Sequence, residues 1–335
     1  MKDKICITLD YELCLGKNTG SVYNTIIKPM EELSKVFDKY NVQATLFVDS
    51  SYLLALKKNK SDYSSLEKDY ELIVNQLNEL QTKGYCIQLH IHPQWIFSTF
   101  DGEKWHLDYE HYKLSDLSQN QAISHFKEAK DLLQTITKKE IVAFRAGGFS
   151  LQSFDDYYNL LLDNNISIDS SVVPGTVEKS KHQWYDYKNA LNQMYNFKDD
   201  IIKPDPDGKI LEVPISVVKY NPFHYSFLRR NVESNNIFSL FTEGEGIGAM
   251  VSNFKHYRRV FKQFFSVKIV AASIDGFMSA LLPIVYKKFK KMKGNDVFLI
   301  IGHPKSASPT SILYTEKFIK QAIKTNYFVT IEELV

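Results

Sequence analysis

Residues 4–16 read KICITLDYELCLG. The apolar, partly β-branched run up to Leu9 has the length of a strand, and it closes on two acids, Asp10 and Glu12, one residue apart. Side chains alternate between the faces of a strand, so the two carboxylates share a face and Tyr11 takes the other. Three more runs have the same character: QATLFV (43–48), YCIQLHIH (85–92) and VFLIIG (297–302). Segments of helical period separate the first three. Residues 28–40 place Met30, Leu33, Val36 and Phe37 on one face behind Pro29, and residues 66–83 carry Leu66, Tyr70, Ile73, Leu77 and Leu80 on one stripe before Gly84. The alternation continues with a helix at about 119–137, the strand IVAFRA (141–146), a helix at about 153–164 and a short strand near SIDSSV (167–172). A helix at 311–325 and a last short strand in YFVTIEEL (327–334) follow the apolar run at 297. Strand, helix, strand in repetition predicts an α/β fold, either a parallel sheet or a barrel of βα units.

Between about 175 and 250 the regularity fails. KPDPDGK, KYNPFHY and TEGEGIGAM read as loops around one good strand, ILEVPISVV (210–218), and the stretch is taken as an insertion in a single domain spanning 1–335. Composition agrees with a globular chain: 44% of residues are apolar and only 14 are Gly and 10 Pro, which argues against collagen-like or low-complexity structure. Cys6, Cys14 and Cys86 are too few and too scattered for a disulfide framework, and reduced core positions suit them. The N-terminus meets acids before an apolar region of signal-peptide length forms, which points to the cytoplasm.

The net charge of +2 hides an uneven distribution. Residues 255–293 hold ten Lys/Arg and one acid, Asp275, or +9, which leaves −7 on the remainder. That stretch is expected to be a basic helical segment. Asp275, Gly276 and Pro283 argue against a membrane span, and the lysine-rich flank is a candidate peripheral contact for anionic lipid at the inner face of the membrane. No recognisable nucleic-acid module is present, so a nucleic-acid partner is not expected.

In barrels of parallel strands, chemistry sits at the C-terminal ends of the strands. Here those ends carry Asp10 and Glu12, His90 and His92, Arg145, Asp169 and His303. Each has a plainer reading: paired acids cap turns, an arginine forms a structural ion pair, a histidine before proline sits in a loop. Two imidazoles and a carboxylate are also a common catalytic zinc set with a fourth position open to water, and the second carboxylate is then available as a base. Placement at successive strand ends favours the chemical reading.

The residues resemble the polysaccharide deacetylases with a NodB homology domain. TLDYE (8–12) is similar to the family's acidic motif, GYCIQLHIHPQW (84–95) to its paired-histidine motif, FRAGGFS (144–150) to its arginine motif, IDSSV (168–172) to its fourth motif and IIGHP (300–304) to its terminal histidine motif. The resemblance implies a distorted (β/α) barrel of about seven parallel strands. It also implies a metal-dependent deacetylase acting on an acylated sugar, with the divalent metal most often Zn2+. By the same resemblance Glu12 is a metal ligand beside His90 and Asp10 is the base; either His92, on the same face as His90, replaces the missing second histidine, or the metal has one firm histidine. The expected roles of the others are Arg145 as the partner of Asp10, Asp169 as a residue that orients or tunes a neighbouring group such as His303, and His303 as the acid, with Trp95, Trp184 and Glu212 as candidate substrate contacts. The chain departs from the family pattern in three places: Tyr11 separates the acids, Gln94 stands where the second histidine is usual, and Ala146-Gly147-Gly148 follow Arg145. A divergent branch of the kind found in surface-polysaccharide gene clusters fits, with a nucleotide sugar or lipid-linked glycan as the substrate. Two other classes remain open: a metal-independent amide hydrolase or glycosidase on the same barrel, and a catalytically silent carbohydrate-binding protein.

Overall fold

Fifteen short strands and seven α-helices are found among the described residues of the computed structural model, which are 3–221, 223, 225–226, 240–246, 268–292, 294 and 297–335. The strands are β1 (Lys4–Tyr11), β2 (Thr45–Asp49), β3 (Cys86–Ile91), β4 (Thr99–Phe100), β5 (Trp105–His106), β6 (Ala143–Ala146), β7 (Ile168–Asp169), β8 (Val177–Lys179), β9 (Trp184–Asp186), β10 (Tyr195–Phe197), β11 (Ile210–Glu212), β12 (Val217–Tyr220), β13 (Lys268–Ala271), β14 (Val297–Gly302) and β15 (Tyr327–Phe328). The helices are α1 (Lys28–Lys39), α2 (Ser50–Asn59), α3 (Ser64–Thr82), α4 (Gln119–Thr137), α5 (Tyr157–Asp163), α6 (Met278–Phe289) and α7 (Pro309–Ala322).

The main sheet runs β10-β11-β7-β6-β3-β2-β1-β14, with β15 also on β1. Seven neighbours, from β11 to β14, pair in parallel; β10 alone is antiparallel. The sheet curls until its edges nearly meet. Beyond β11 the chain reaches β14, where Leu299 N donates to Ser216 Oγ at 2.9 Å, and Ser273 bridges Ile301 in parallel. This is the distorted barrel that the family resemblance implies, one of the two arrangements that the strand and helix repetition leaves open.

Alternation along the strands builds two cores. Cys6, Phe47, Cys86, Ala143, Ile168, Val213, Leu299 and Ile301 pack inside the barrel, while Ile5, Ile7, Leu9, Leu46, Leu89, Phe144 and Ile300 pack outward against the helices. On β1 the inward series is therefore Cys6, Thr8, Asp10 and then Glu12, apolar at the bottom and acidic at the mouth. On β3 it is Cys86, Gln88, His90 and then His92.

Several expectations need correction. The segment SSYLLALKKN forms α2, capped by Asp49. ILEVPISVV is two strands, β11 in the main sheet and β12 paired antiparallel with β13, since Pro214 cannot donate to a ladder. Tyr195–Phe197, from the stretch read as loops, also joins the main sheet. The region expected as one basic helix, 255–293, contains the strand β13 and the shorter helix α6; its part from 255 to 267 lies outside the described residues.

Candidate functional site

Glu12 Oε2 lies 2.7 Å from His92 Nε2 and 3.5 Å from His90 Nε2, and one ligand atom from each residue falls within 4.8 Å of the others. All three side chains are buried, and Glu12 Oε2 and His90 Nε2 have no hydrogen-bond partner. Buried polar atoms are nearly always paired, so atoms left open and aimed at one another mark a place where a cation fits. His90 is oriented for this. Its Nδ1 lies 2.7 Å from the Arg145 carbonyl, which can only accept; the proton is therefore on Nδ1 and Nε2 presents its lone pair. Gly147 makes room for the second imidazole, because a Cβ there would stand 2.5 Å from the Ile91 carbonyl oxygen and 2.7 Å from His92 Nδ1. The Gly147 departure from the family pattern thus has a local steric reason.

Asp10 faces the same mouth. Arg145 Nη1 donates to its Oδ1 at 2.6 Å, while Arg145 Nε donates to the Ser170 carbonyl and Nη2 to Thr8 Oγ1 and Ser170 Oγ, each at 2.9 Å. The guanidinium lies over the Phe47 ring and is wholly buried. Burial pushes the Asp10 pKa up, but Arg145, His90 and His303 outweigh it and hold the carboxyl below its ordinary value. Removing one member of so buried a pair costs about 3–5 kcal/mol, because the other charge is left uncompensated.

His303 approaches from β14. Its Nε2 is 3.5 Å from Asp10 Oδ2 and 3.8 Å from Glu12 Oε1, and its Nδ1 binds Asp275 Oδ2 at 2.7 Å. Asp275 also accepts from the His303 backbone N at 2.8 Å. Burial lowers the imidazole pKa; Asp275 and then Asp10 more than reverse this and raise it above its ordinary value. Lys305, two residues on, donates from Nζ to Glu12 Oε1 at 2.8 Å. Burial raises the Glu12 pKa, yet Lys305 and His92 together hold it well below the carboxylate range.

The structure thus brings Asp10, Glu12, His90, His92, Arg145 and His303 to one mouth. It does not bring Asp169 there. In β7, Ile168 is level with inward Ala143 and Asp169 with outward Phe144, so it is Ser170 that meets Arg145. Asp169 accepts from Ser171 N and Oγ and sits beside Glu212, whose burial and whose neighbour Asp169 push its pKa well up. Asp169 thus stands beside Ser171 and Glu212 and not beside His303, and Glu212 is fully buried. Trp95 is 2% exposed, packs on Tyr52 and Trp105 and donates its indole N–H to Asp49 Oδ2 at 2.8 Å. Tyr187 and Tyr195, in the same stretch as Trp184, are buried packing residues. Trp184 is 40% exposed on β9, its backbone N donating to Ser150 Oγ. Gln94, in the place of the family's second histidine, is buried with neither end of its amide hydrogen-bonded.

Sequence reading missed Asp275, Lys305 and Asp49. Asp275 was counted only as the lone acid of a basic stretch, Lys305 had the HP turn as its only signal, and Asp49 was visible as an acid ending the second strand.

Residues 23–160 match the family model described as polysaccharide deacetylase, a span that includes His90, His92 and Arg145. A comparison with curated protein sequences finds no match. Among solved structures, a Mycobacterium smegmatis protein described as a polysaccharide deacetylase aligns at a TM-score of 0.52 with 11% identity, over 99% of this chain and 89% of that one. A Pseudomonas aeruginosa PAO1 protein with the same description aligns at 0.50 with 13% identity, over 99% and 89%. A GH57 branching enzyme from Thermococcus kodakaraensis aligns at 0.51 with 10% identity, over 100% and 71%. These likenesses establish the NodB-like barrel; the barrel alone does not choose a chemistry.

Proposed function

We propose that the chain is a metal-dependent carbohydrate deacetylase, a hydrolase that removes an acyl group, foremost N-acetyl, from a sugar of a surface-polysaccharide precursor. The observation that carries this reading is the convergence of Glu12 Oε2, His90 Nε2 and His92 Nε2, two of them buried without a hydrogen-bond partner. One oxygen and two imidazole nitrogens suit Zn2+ with a position left open. A divalent ion held by these three residues supplies Lewis acidity at the acyl carbonyl.

The chain's own groups account for the protons. Asp10, kept ionised by Arg145, accepts a proton from the attacking water. His303, whose imidazole pKa Asp275 raises, gives one to the leaving nitrogen as the C–N bond breaks. Asp10 Oδ2 and His303 Nε2 are 3.5 Å apart, close enough for the first proton to restore the second group before the next turnover. Asp10 and Glu12 lie one residue apart on one strand, an arrangement less natural for a glycosidase, whose two carboxyl groups flank a sugar bond at about 5 Å or more.

Beside Leu13 lies a cavity of about 520 Å³, lined among others by Asn18, Asn24, Phe100 and Trp105, a size and lining that suit a sugar. Asp69, Glu103 and Glu243 outnumber Lys104 in its wall, which favours an uncharged sugar unit there over the diphosphate of a nucleotide or lipid carrier. Trp184 is proposed as an outer stacking surface.

The test is turnover of N-acetylated sugars together with elemental analysis. The expected result is about one zinc per chain, loss of activity on chelation with recovery on zinc addition, and a fall in kcat of about 10²-fold or more in Asp10→Asn with metal content unchanged. Full activity in stripped protein, or unchanged turnover in Asp10→Asn, contradicts the reading.

A further inference from the structure

We infer that Lys305 is a positioning residue that pins Glu12 through one oxygen and sets how tightly the Glu12, His90 and His92 cluster holds a divalent cation. This rests on the ligand set proposed above. After β14 ends at Gly302, the turn Pro304–Ser306 carries Lys305 over the barrel mouth, where its side chain is only 16% exposed. Its Nζ donates to Glu12 Oε1 at 2.8 Å and to the Leu13 carbonyl at 3.1 Å, so the ammonium is fixed by two acceptors.

The two oxygens of Glu12 are therefore divided. Oε1 belongs to Lys305, and Oε2 faces His90 and His92. Glu12 also belongs to a second cluster able to hold an ion, with Asp10 and His303, and His303 approaches it on the side of Oε1, 3.8 Å away. By holding that oxygen, Lys305 leaves Glu12 with Oε2, the atom that faces the histidine pair, as its free carboxylate oxygen. It also puts a unit positive charge one carboxylate away from the cation, in a buried site where repulsion is poorly screened. A ligand anchored from behind usually binds metal more tightly when its anchor is intact. Here the anchor is itself a cation, so its charge works against the affinity that the ligands alone would give.

Three variants separate charge from anchoring: Lys305→Met removes both, Lys305→Gln keeps a donor without charge, and Lys305→Arg keeps both. Zn2+ affinity is read by competition with a chromophoric chelator, and the visible spectrum of the Co2+ form reports the ligand set. The expected result is tighter Zn2+ binding by about tenfold or more in Lys305→Met and Lys305→Gln, with Lys305→Arg within about threefold of the parent. The Co2+ spectrum is expected to change in Lys305→Met and be retained in Lys305→Arg. If Lys305→Met does not fold, Lys305→Gln carries the comparison. Equal or weaker Zn2+ binding in a folded uncharged variant overturns the inference while leaving the ligand set intact. Binding in neither parent nor variants overturns the ligand set itself, and binding only in the uncharged variants supports both.

Discussion

His303 and Asp275 form the contact on which the proton balance of the site turns. The carboxylate takes both the ring Nδ1–H and the backbone N–H of His303, and it raises the imidazole pKa against the effect of burial. An acid of this kind works while it is protonated, so the raised pKa extends activity to higher pH. In Asp275→Asn the alkaline limb of the activity profile is expected to move to lower pH while the acid limb, governed by Asp10, stays; an unmoved alkaline limb contradicts the role. Asp10 titrates in the opposite sense. Its pKa is lowered in the folded state, so its ion pair with Arg145 stabilises fully above the ordinary carboxylate value and is lost as pH falls through the folded value. At this scale the sequence was legible where spacing decides geometry: acids or imidazoles two apart at a strand end share a face, and Asp10, Glu12, His90 and His92 need nothing else to point together. It was illegible where a partner comes from a distant loop. Nothing in local spacing joins Asp275 to His303 or Lys305 to Glu12.

Parity within short elements explains the remaining errors. A one-residue step reverses the face of a side chain, and β7 has only Ile168 and Asp169 to show its alternation; Ser170, not Asp169, meets the arginine. The burial of Trp95 and Glu212 was not legible, because type and position along the chain do not reveal it. Helices of clear period were legible, as α3 and α4 show, whereas α2, rich in serine and lysine at its ends, was not. Two predictions belong here. Gly147→Ala places a methyl against the Ile91 carbonyl and His92 Nδ1, and is expected to displace His92 and weaken Zn2+ binding by about tenfold or more, measured by chelator competition. Unchanged affinity contradicts the steric reading. On α4, His125 packs against α2, with Nε2 2.7 Å from Ser51 Oγ, and burial lowers its pKa to about 4. Between its ordinary value near 6.5 and that level only the unfolded chain binds the proton, so stability falls as pH drops through this window. In His125→Gln that part of the pH dependence, followed by urea unfolding, is expected to vanish; persistence of the full slope contradicts the assignment.

For the whole molecule, seven parallel strands bring residues from 10 to 303 to one barrel mouth, and an ion held by the proposed ligands Glu12, His90 and His92 would tie the first strand to the third. Binding to the folded state alone stabilises it, by about 2.7 kcal/mol at free zinc 100-fold above Kd. A Tm that rises with added zinc and falls with chelator is the expected outcome, and an unresponsive Tm contradicts it. No helix among the described residues is long and apolar enough to cross a membrane. Within the basic stretch, Lys290 pairs with Asp3 at 3.0 Å, and Lys288 is held by the Lys219 carbonyl and the Tyr220 ring. These lysines therefore have structural work besides the lipid contact proposed from the sequence. The most direct test of the central claim is anomalous scattering at the zinc edge from crystals grown with Zn2+. The account predicts one peak about 2.0–2.2 Å from Glu12 Oε2 and from one ring nitrogen each of His90 and His92. A peak held instead by Asp10, Glu12 and His303, or no peak at the barrel mouth, would contradict it.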